Sequence, residues 1–340
     1  MKKVAIALSG GVDSGVAAAL LVKQGYQCAG FHMKLWREGK SDPGSLTAAG
    51  ETCRQLGIPF YTVDFAKIFK KRVVDYFLIE YAAGLTPNPC VQCNKFIKFG
   101  ELLDYVRKLG FDYLATGHYA RIKTCHLFQA KDKNKDQSYF LYNLTQKQLA
   151  QILFPVGDYT KKEVRRMARE WQLPVAERPE SQEICFFAES DYRPFLKRQI
   201  SQKIVSGEVI DTQRRVIGNH QGILLYTIGQ RHGFEIADRK AIGPWYVLGK
   251  DIKKNRLIVG FGKETEKKEF WVKNVNWLAP RSFGEVEVRI RHQGELLPAR
   301  IKKIASRIKV ILDEPERGIA PGQSAVFLKS GEVLGGGIIV

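Results

Sequence analysis

The chain has 340 residues, a formal charge of +19 at pH 7, 44% hydrophobic and 11% aromatic residues. That length suits two or three domains, and the composition excludes disorder, a collagen-like chain and a disulfide-dense miniprotein. No run of 18 apolar residues occurs, so no spanning helix or membrane partner is expected. The first apolar run, Val4–Leu8, is too short for a signal-peptide core, and a cytoplasmic protein with six reduced cysteines is expected. The positive surplus is not a tail. Residues 1–199 carry 30 basic against 20 acidic side chains, and residues 200–340 carry 24 against 15. A polyanion long enough to touch every domain fits that spread better than a small acidic substrate.

In chain order, Val4–Leu8 reads as a strand buried on both faces, followed by a helix over Ser14–Gln24 that Gly25 stops. A strand over Gln27–Trp36, a helix over Ser45–Leu56 and a strand over Phe60–Phe65 continue the alternation. Helices over Lys67–Ala83 and Lys95–Leu109 follow, then a short strand at Tyr113–Thr116. Strands separated by helices imply a doubly wound parallel sheet, an α/β domain. Further helices are expected over Lys161–Trp171 and Asp191–Gln199. Beyond about residue 200 the rhythm changes to short strands, at Arg256–Val259, Phe270–Val275, Glu285–Ile290, Arg307–Leu312 and Ser324–Leu328. These belong to a barrel or sandwich, with Gly260–Lys268 as a joint. The expected domains are 1–200, 201–266 and 267–340.

The sharpest local signal is Ser9-Gly10-Gly11-Val12-Asp13-Ser14 between a strand and a helix. Two glycines let the backbone turn tightly and aim N–H groups at an anion at the helix N-terminus. Asp13 beside phosphates makes sense with Mg²⁺ between them. Neither a Gly-Lys-Ser/Thr ending nor a Gly-x-Gly-x-x-Gly pattern is present, which disfavours γ-phosphate transfer and dinucleotide binding.

Cys90-Val91-Gln92-Cys93 follows Pro87-Asn88-Pro89, and the cysteines are expected just ahead of the Lys95–Leu109 helix, with Asn94 as its cap. A thiol at a helix N-terminus ionises more easily, and the thiolate is both nucleophile and metal ligand. Cys185 stands apart in Ser181-Gln182-Glu183-Ile184-Cys185-Phe186, whereas Cys28, Cys53 and Cys125 read as core residues in strands or a helix. No second Cys pair supports a structural zinc site; a redox pair and a thiol-transfer role remain open for Cys90 and Cys93. The Ser9–Ser14 turn resembles the SGGxDS loop of the ATP pyrophosphatase superfamily, which would bind ATP. With reactive thiols on a basic protein this suggests thiolation, in which ATP activates an oxygen and sulfur displaces it.

The whole chain resembles the bacterial tRNA-specific 2-thiouridylase family, on Ser9–Ser14, Thr86–Phe99, Thr116–Arg121, Asp136–Phe140, Ser181–Phe186, Gly229–Gly233, Pro244–Val247 and Ala320–Phe327. That resemblance implies an N-terminal pyrophosphatase-type catalytic domain, a small central β domain and a C-terminal β-barrel, all gripping tRNA. It implies ATP contacts at Ala7, Leu8, Ser9, Gly10, Gly11, Val12, Asp13, Ser14, Met33 and Gly117. It puts Asn88, Pro89 and Cys90 near the target base, and Lys135, Asp136, Gln137, Arg291 and His292 against tRNA. It makes Cys93 the nucleophile and Cys185 the persulfide carrier, fed by a sulfur-donor protein or cysteine desulfurase relay. The tRNA partners would be those with Lys, Glu and Gln anticodons. Some family members have Asp where this chain has Cys90. With three cysteines, Cys90, Cys93 and Cys185 would hold a 4Fe-4S iron–sulfur cluster; persulfide and cluster routes stay open here, the cluster being preferred. The rival readings are a lysidine or argininosuccinate synthetase type of enzyme, and a non-catalytic RNA-binding or metal-sensing protein.

Overall fold

The computed structural model describes residues 1–39, 43–179, 184–187, 189, 191–237, 244–279 and 283–340. Ser181, Gln182 and Glu183 of the motif before Cys185 lie outside these. Strands β1 (Lys3–Ala7), β2 (Gln27–Lys34), β3 (Phe60–Asp64) and β4 (Tyr113–Ala115) are parallel neighbours in the order β3-β2-β1-β4. The chain then makes a hairpin of β5 (Ala120–Lys123) and β6 (His126–Gln129) before β7 (Ile152–Leu153) adds to the far edge beside β4. Alternate β1 side chains face opposite layers. Ala5 packs with Phe31, Phe99, Leu102 and Val106, while Val4 and Ile6 pack with Ala18, Leu21, Ala49 and Cys53. Helices therefore cover both faces, as an all-parallel sheet requires.

The helix carrying the cysteine pair starts earlier than the sequence suggests. It runs over residues 89–108, and Asn88 caps it by accepting from the Val91 N–H at 3.3 Å. Pro89 supplies the fixed φ and missing donor that suit a first helical position. Asn94 is no cap: it is buried and donates to the Phe140 carbonyl at 3.2 Å. The stretch Cys93–Leu102 winds as π-helix, a form concentrated at functional sites. Cys28 and Cys53 are core residues, but Cys125 is half-buried in the β5–β6 turn, with φ +63° after Thr124 at +49°. Positive φ at both central residues makes the twist of a two-residue hairpin turn.

The second sheet comprises β8 (Gly207–Ile210), β9 (Val216–His220), β10 (Glu235–Ile236), β11 (Tyr246–Asp251) and β12 (Arg256–Gly260), ordered β10-β9-β8-β12-β11. The third comprises β13 (Glu266–Trp277), β14 (Gly284–Arg289), β15 (Leu297–Ile304), β16 (Arg307–Arg317), β17 (Ser324–Lys329) and β18 (Glu332–Ile339). Pairing of β13 with β18 closes these six strands into a barrel around Val272, Val288, Ile301, Val310 and Phe327. The β5–β6 hairpin extends the barrel sheet through Glu332↔Phe128 and the Gln129 N–H to Gly331 carbonyl bond of 2.9 Å. The first and third units are thus stitched together by backbone. Among the described residues no helix is long and apolar enough to cross a membrane.

A buried ion pair reinforces the seam: Arg289 of β14 donates to Asp136 at 2.8 Å, the two side chains being 9% and 0% exposed. Removing one partner of such a pair strands the other charge, at about 3–5 kcal/mol. Arg289→Ala is therefore expected to lower the thermal midpoint clearly, and an unchanged melting curve would show the seam does not depend on this pair.

Candidate active site

Strand order reverses between β1 and β4, and ligands of open α/β sheets bind where that reversal opens a crevice. The Ser9–Ser14 turn leaves the end of β1 there and enters the helix Val12–Lys23, with Gly11 as its N-cap. Gly10 has φ +75°, and a Cβ on it would stand 2.3 Å from the Ser45 carbonyl oxygen, so no side chain fits. Ser14 donates its hydroxyl to the Gly11 carbonyl at 3.0 Å and accepts from the Ser9 N–H at 3.3 Å. From β4 the segment Thr116–Tyr119 crosses to the same turn. A Cβ on Gly117 would lie 2.6 Å from the Ser14 nitrogen, so the two loops touch backbone to backbone. Met33 is half-buried near the C-terminal end of the neighbouring strand β2. Asp13 accepts from the Lys161 ammonium at 2.6 and 2.8 Å and from the Tyr119 hydroxyl at 2.8 Å.

The next residue of that crossing segment, His118, links the loop to the thiols. Burial, assisted by Lys98, holds its imidazole well below the usual range, so it is neutral. The Lys98 ammonium lies 3.3 Å from His118 Nε2 and has only donors. Nε2 therefore accepts, and Nδ1 donates to Thr116 Oγ1 at 2.6 Å. Lys98 in turn acts electrostatically on Cys90, Cys93 and Cys185, and the thiols act on one another. Cys185, far away in sequence, is brought here by Phe186 and Phe187, which are buried against Phe77 and Phe195. Cys93 is buried, Cys90 half-buried and Cys185 exposed. The ionisation expected at a helix N-terminus is overridden. Burial pushes the Cys90 thiol up to about 11 and Cys93 to about 12, against weaker opposition from Lys98. The protein packed around the Cys185 sulfur pushes it up too, although the residue reaches the surface.

The segment leading to Cys90 is fixed from the barrel. Thr86 donates its N–H to the Pro321 carbonyl at 2.9 Å, and Gln323 donates to the Thr86 carbonyl at 3.1 Å. Tyr139, fully buried, donates to the Ser324 carbonyl at 2.9 Å. Asn88, Pro89 and Cys90 thus sit where the first and third units meet. Two other segments also come together. Lys135 and Gln137 flank Asp136 on one loop, and Gln293 reaches across to the Asn134 carbonyl at 3.4 Å. His292 packs on the Phe140 ring at 4.3 Å between centroids, beside the half-exposed Arg291, which bonds Glu316 at 3.3 Å. Asp136 itself is different. Its side chain is fully buried and accepts from Arg289, the Ala130 N–H and the Ser138 hydroxyl, so it shapes the loop and offers nothing to an RNA phosphate. Gln137 likewise works inward, accepting from the Tyr119 N–H at 3.1 Å.

An anion-cradling turn at the switch point of a parallel sheet, with helices on both faces, is the nucleotide-binding architecture of the HUP class. Residues 2–189 match the family profile described as tRNA methyl transferase HUP domain, residues 193–261 the tRNA methyl transferase PRC-barrel domain and residues 267–339 the aminomethyltransferase beta-barrel domain. The chain belongs to the tRNA-specific 2-thiouridylase family. It is 43% identical to the protein of that name from Carboxydothermus hydrogenoformans, over 99% of this chain and 97% of the relative. The protein so named from Chloroflexus aggregans is 43% identical over 100% and 98%, and that from Clostridioides difficile 41% identical over 99% and 98%.

Sequence reasoning passed over Lys98, His118, Tyr119, Lys161 and Gln323. Most stand inside quoted motifs, but nothing in a string shows which motif residues face one another. The raised thiols have a pH consequence. A folded-state value above the ordinary thiol range means stability is unaffected below that range and falls as pH climbs through it toward about 11 and 12. Iodoacetamide at pH 7.5 should modify Cys185 first, with Cys93 labelling slow and rising about tenfold per pH unit until near 12. Cys93 labelling ahead of Cys185 would contradict this arrangement.

Proposed function

We propose that the protein is an ATP-dependent tRNA 2-thiouridylase: it adenylates the C2 oxygen of wobble uridine 34, then replaces AMP with sulfur. One observation carries the reading. Gly117 lies on the phosphate turn while the adjacent His118 meets Lys98, whose charge bears on all three thiols. Nucleotide chemistry and sulfur chemistry are therefore a few residues apart. The profile descriptions mention methyl transfer, but a polyphosphate cradle beside thiols serves activation by ATP, not transfer of a methyl group. The same thiols favour this reading over a lysidine or argininosuccinate synthetase.

In the mechanism proposed, uracil O2 attacks the α-phosphate of ATP and pyrophosphate leaves, the amides of Ser9–Ser14 holding the departing charge. A sulfur nucleophile then attacks C2 and AMP departs, a far better leaving group than oxide. Asp13 is the loop's carboxylate and suits a Mg²⁺ ion, which would neutralise phosphate charge and take its other ligands from phosphates and water. The extruded base would rest by Asn88, Pro89 and Cys90, which favours an unpaired wobble position. Lys135, Arg291 and His292 would meet the tRNA body, with Gln137 supporting them. In this reading Cys185, exposed, accepts sulfur as a persulfide from a donor protein or cysteine desulfurase relay. Its outer sulfur bonds to C2 as AMP leaves. Cys93, buried, then attacks the Cys185 sulfur, releasing 2-thiouridine and leaving a Cys93–Cys185 disulfide for an external thiol to reduce. The groups bearing on the thiols are each other, Lys98 and Arg37. Three cysteines are the ligand type of a 4Fe-4S cluster, whose open iron would carry sulfide. Among the described residues no three His, Cys, Asp or Glu side chains stand close enough to hold a metal ion, so the three thiols as arranged here do not fit a cluster. Iron and sulfide analysis after anaerobic purification decides between the routes. We further propose residues 1–200, 201–266 and 267–340 as the domains, and tRNAs with Lys, Glu and Gln anticodons as substrates.

Incubation with ATP, Mg²⁺, a sulfur donor and tRNA transcript should yield 2-thiouridine, AMP and pyrophosphate; absence of sulfur-bearing uridine would refute the reading. Asp13→Ala should abolish pyrophosphate release while tRNA binding persists. Cys93→Ser and Cys185→Ser should each stop thiolation without loss of tRNA binding. Affinity for tRNA should fall steeply between roughly 50 and 200 mM salt, as counterion release demands.

A further inference from the structure

Lys161 is the first residue of the helix Lys161–Glu170, 148 positions from Asp13 in sequence, yet its ammonium reaches that carboxylate twice, at 2.6 and 2.8 Å. Its side chain is 11% exposed, against 32% for Asp13. The placement is built from several sides. Thr160 and Glu163 form a capping box that fixes the start of the helix. The Lys161 backbone N–H donates to Asp132 at 2.9 Å. The ammonium also lies 5.8 Å from the centre of the Tyr119 ring, whose hydroxyl donates to Asp13. Lysines are rarely buried this far, and a solvent-facing side chain would serve the helix equally well. Drawing the ammonium beneath the phosphate turn costs desolvation that the helix itself does not require.

Asp13 explains why the cation is wanted. It stands in the first turn of the helix Val12–Lys23, which favours its negative charge locally. The same helix end must receive a polyphosphate, which a lone carboxylate repels. Paired with Lys161 the carboxylate is neutralised, and the ammonium it holds carries N–H donors that a phosphate can take up.

We propose that Lys161 is a polyphosphate-binding residue of this site: Asp13 and Tyr119 hold its ammonium at the lip of the Ser9–Ser14 turn, and the terminal phosphates of the incoming nucleotide take it as a ligand. The inference rests on reading this turn as the ATP site and names a residue that the motif itself does not contain. No covalent bond changes; the ammonium exchanges or shares one anionic partner with another.

Equilibrium binding of α,β-methylene-ATP and of adenosine to the full chain tests it. Wild-type protein that binds no analogue overturns the ATP reading itself. Given wild-type binding, Lys161→Met should raise the analogue's Kd by about tenfold or more, with adenosine and tRNA affinities unchanged. Lys161→Arg should recover most of the loss, and Tyr119→Phe should fall between. Should Lys161→Met fail to fold, Lys161→Gln carries the same comparison. A purely structural lysine would weaken adenosine, analogue and tRNA alike and lower the melting midpoint. That result, or a Lys161→Met protein holding the analogue as tightly as wild type, overturns the proposal.

Discussion

The contact between Gly117 and the amide of Ser14 governs the rest of the site. A Cβ there would meet backbone at 2.6 Å, so the loops leaving β1 and β4 are pressed together with no side chain between them. One loop ends in donors aimed at an anion. The other continues into His118 and Tyr119, which look in opposite directions, toward Lys98 and toward Asp13. A bulkier crossing would move the phosphate turn away from the thiols.

Charge is managed differently on the two sides of that contact. At the phosphate turn, the Asp13 carboxylate and the Lys161 ammonium nearly cancel, leaving backbone dipoles as the fixed attraction for phosphate. Among the thiols, burial outweighs the cation, and Cys90 and Cys93 keep their protons near neutral pH. Buried, protonated sulfur is thereby slower to oxidise. Cys185 is the accessible one of the three.

Much of this was legible in the sequence, for definable reasons. The parallel sheet announced itself because β1 is apolar on both faces, and the phosphate turn because two glycines precede a helix. Cap geometry was less legible. Asn88 and Asn94 are both plausible caps in a string, and only the packing of Asn94 beneath Phe140 separates them. Asp136 sits in a polar, lysine-rich segment that reads as exposed. Its partner Arg289 lies 153 residues later in β14, beyond any local pattern. The two-residue strand β7 and the four-residue strands β5 and β6 are too short for periodicity to register. The thiol ionisation followed the wrong rule because a helix end favours the thiolate only where water or charge can support it.

The hairpin β5–β6 is made early in the sequence, but its neighbour β18 comes some two hundred residues later. The loop that follows the hairpin waits likewise for Arg289, and the segment before Cys90 waits for Pro321 and Gln323. As the polypeptide leaves the ribosome, its nucleotide-binding part can collapse around the parallel sheet long before these distant strands exist. The segment before Cys90 cannot settle until they do. A nascent or prematurely terminated product would thus lack the contacts that fix the segment before Cys90, which form only as the barrel closes.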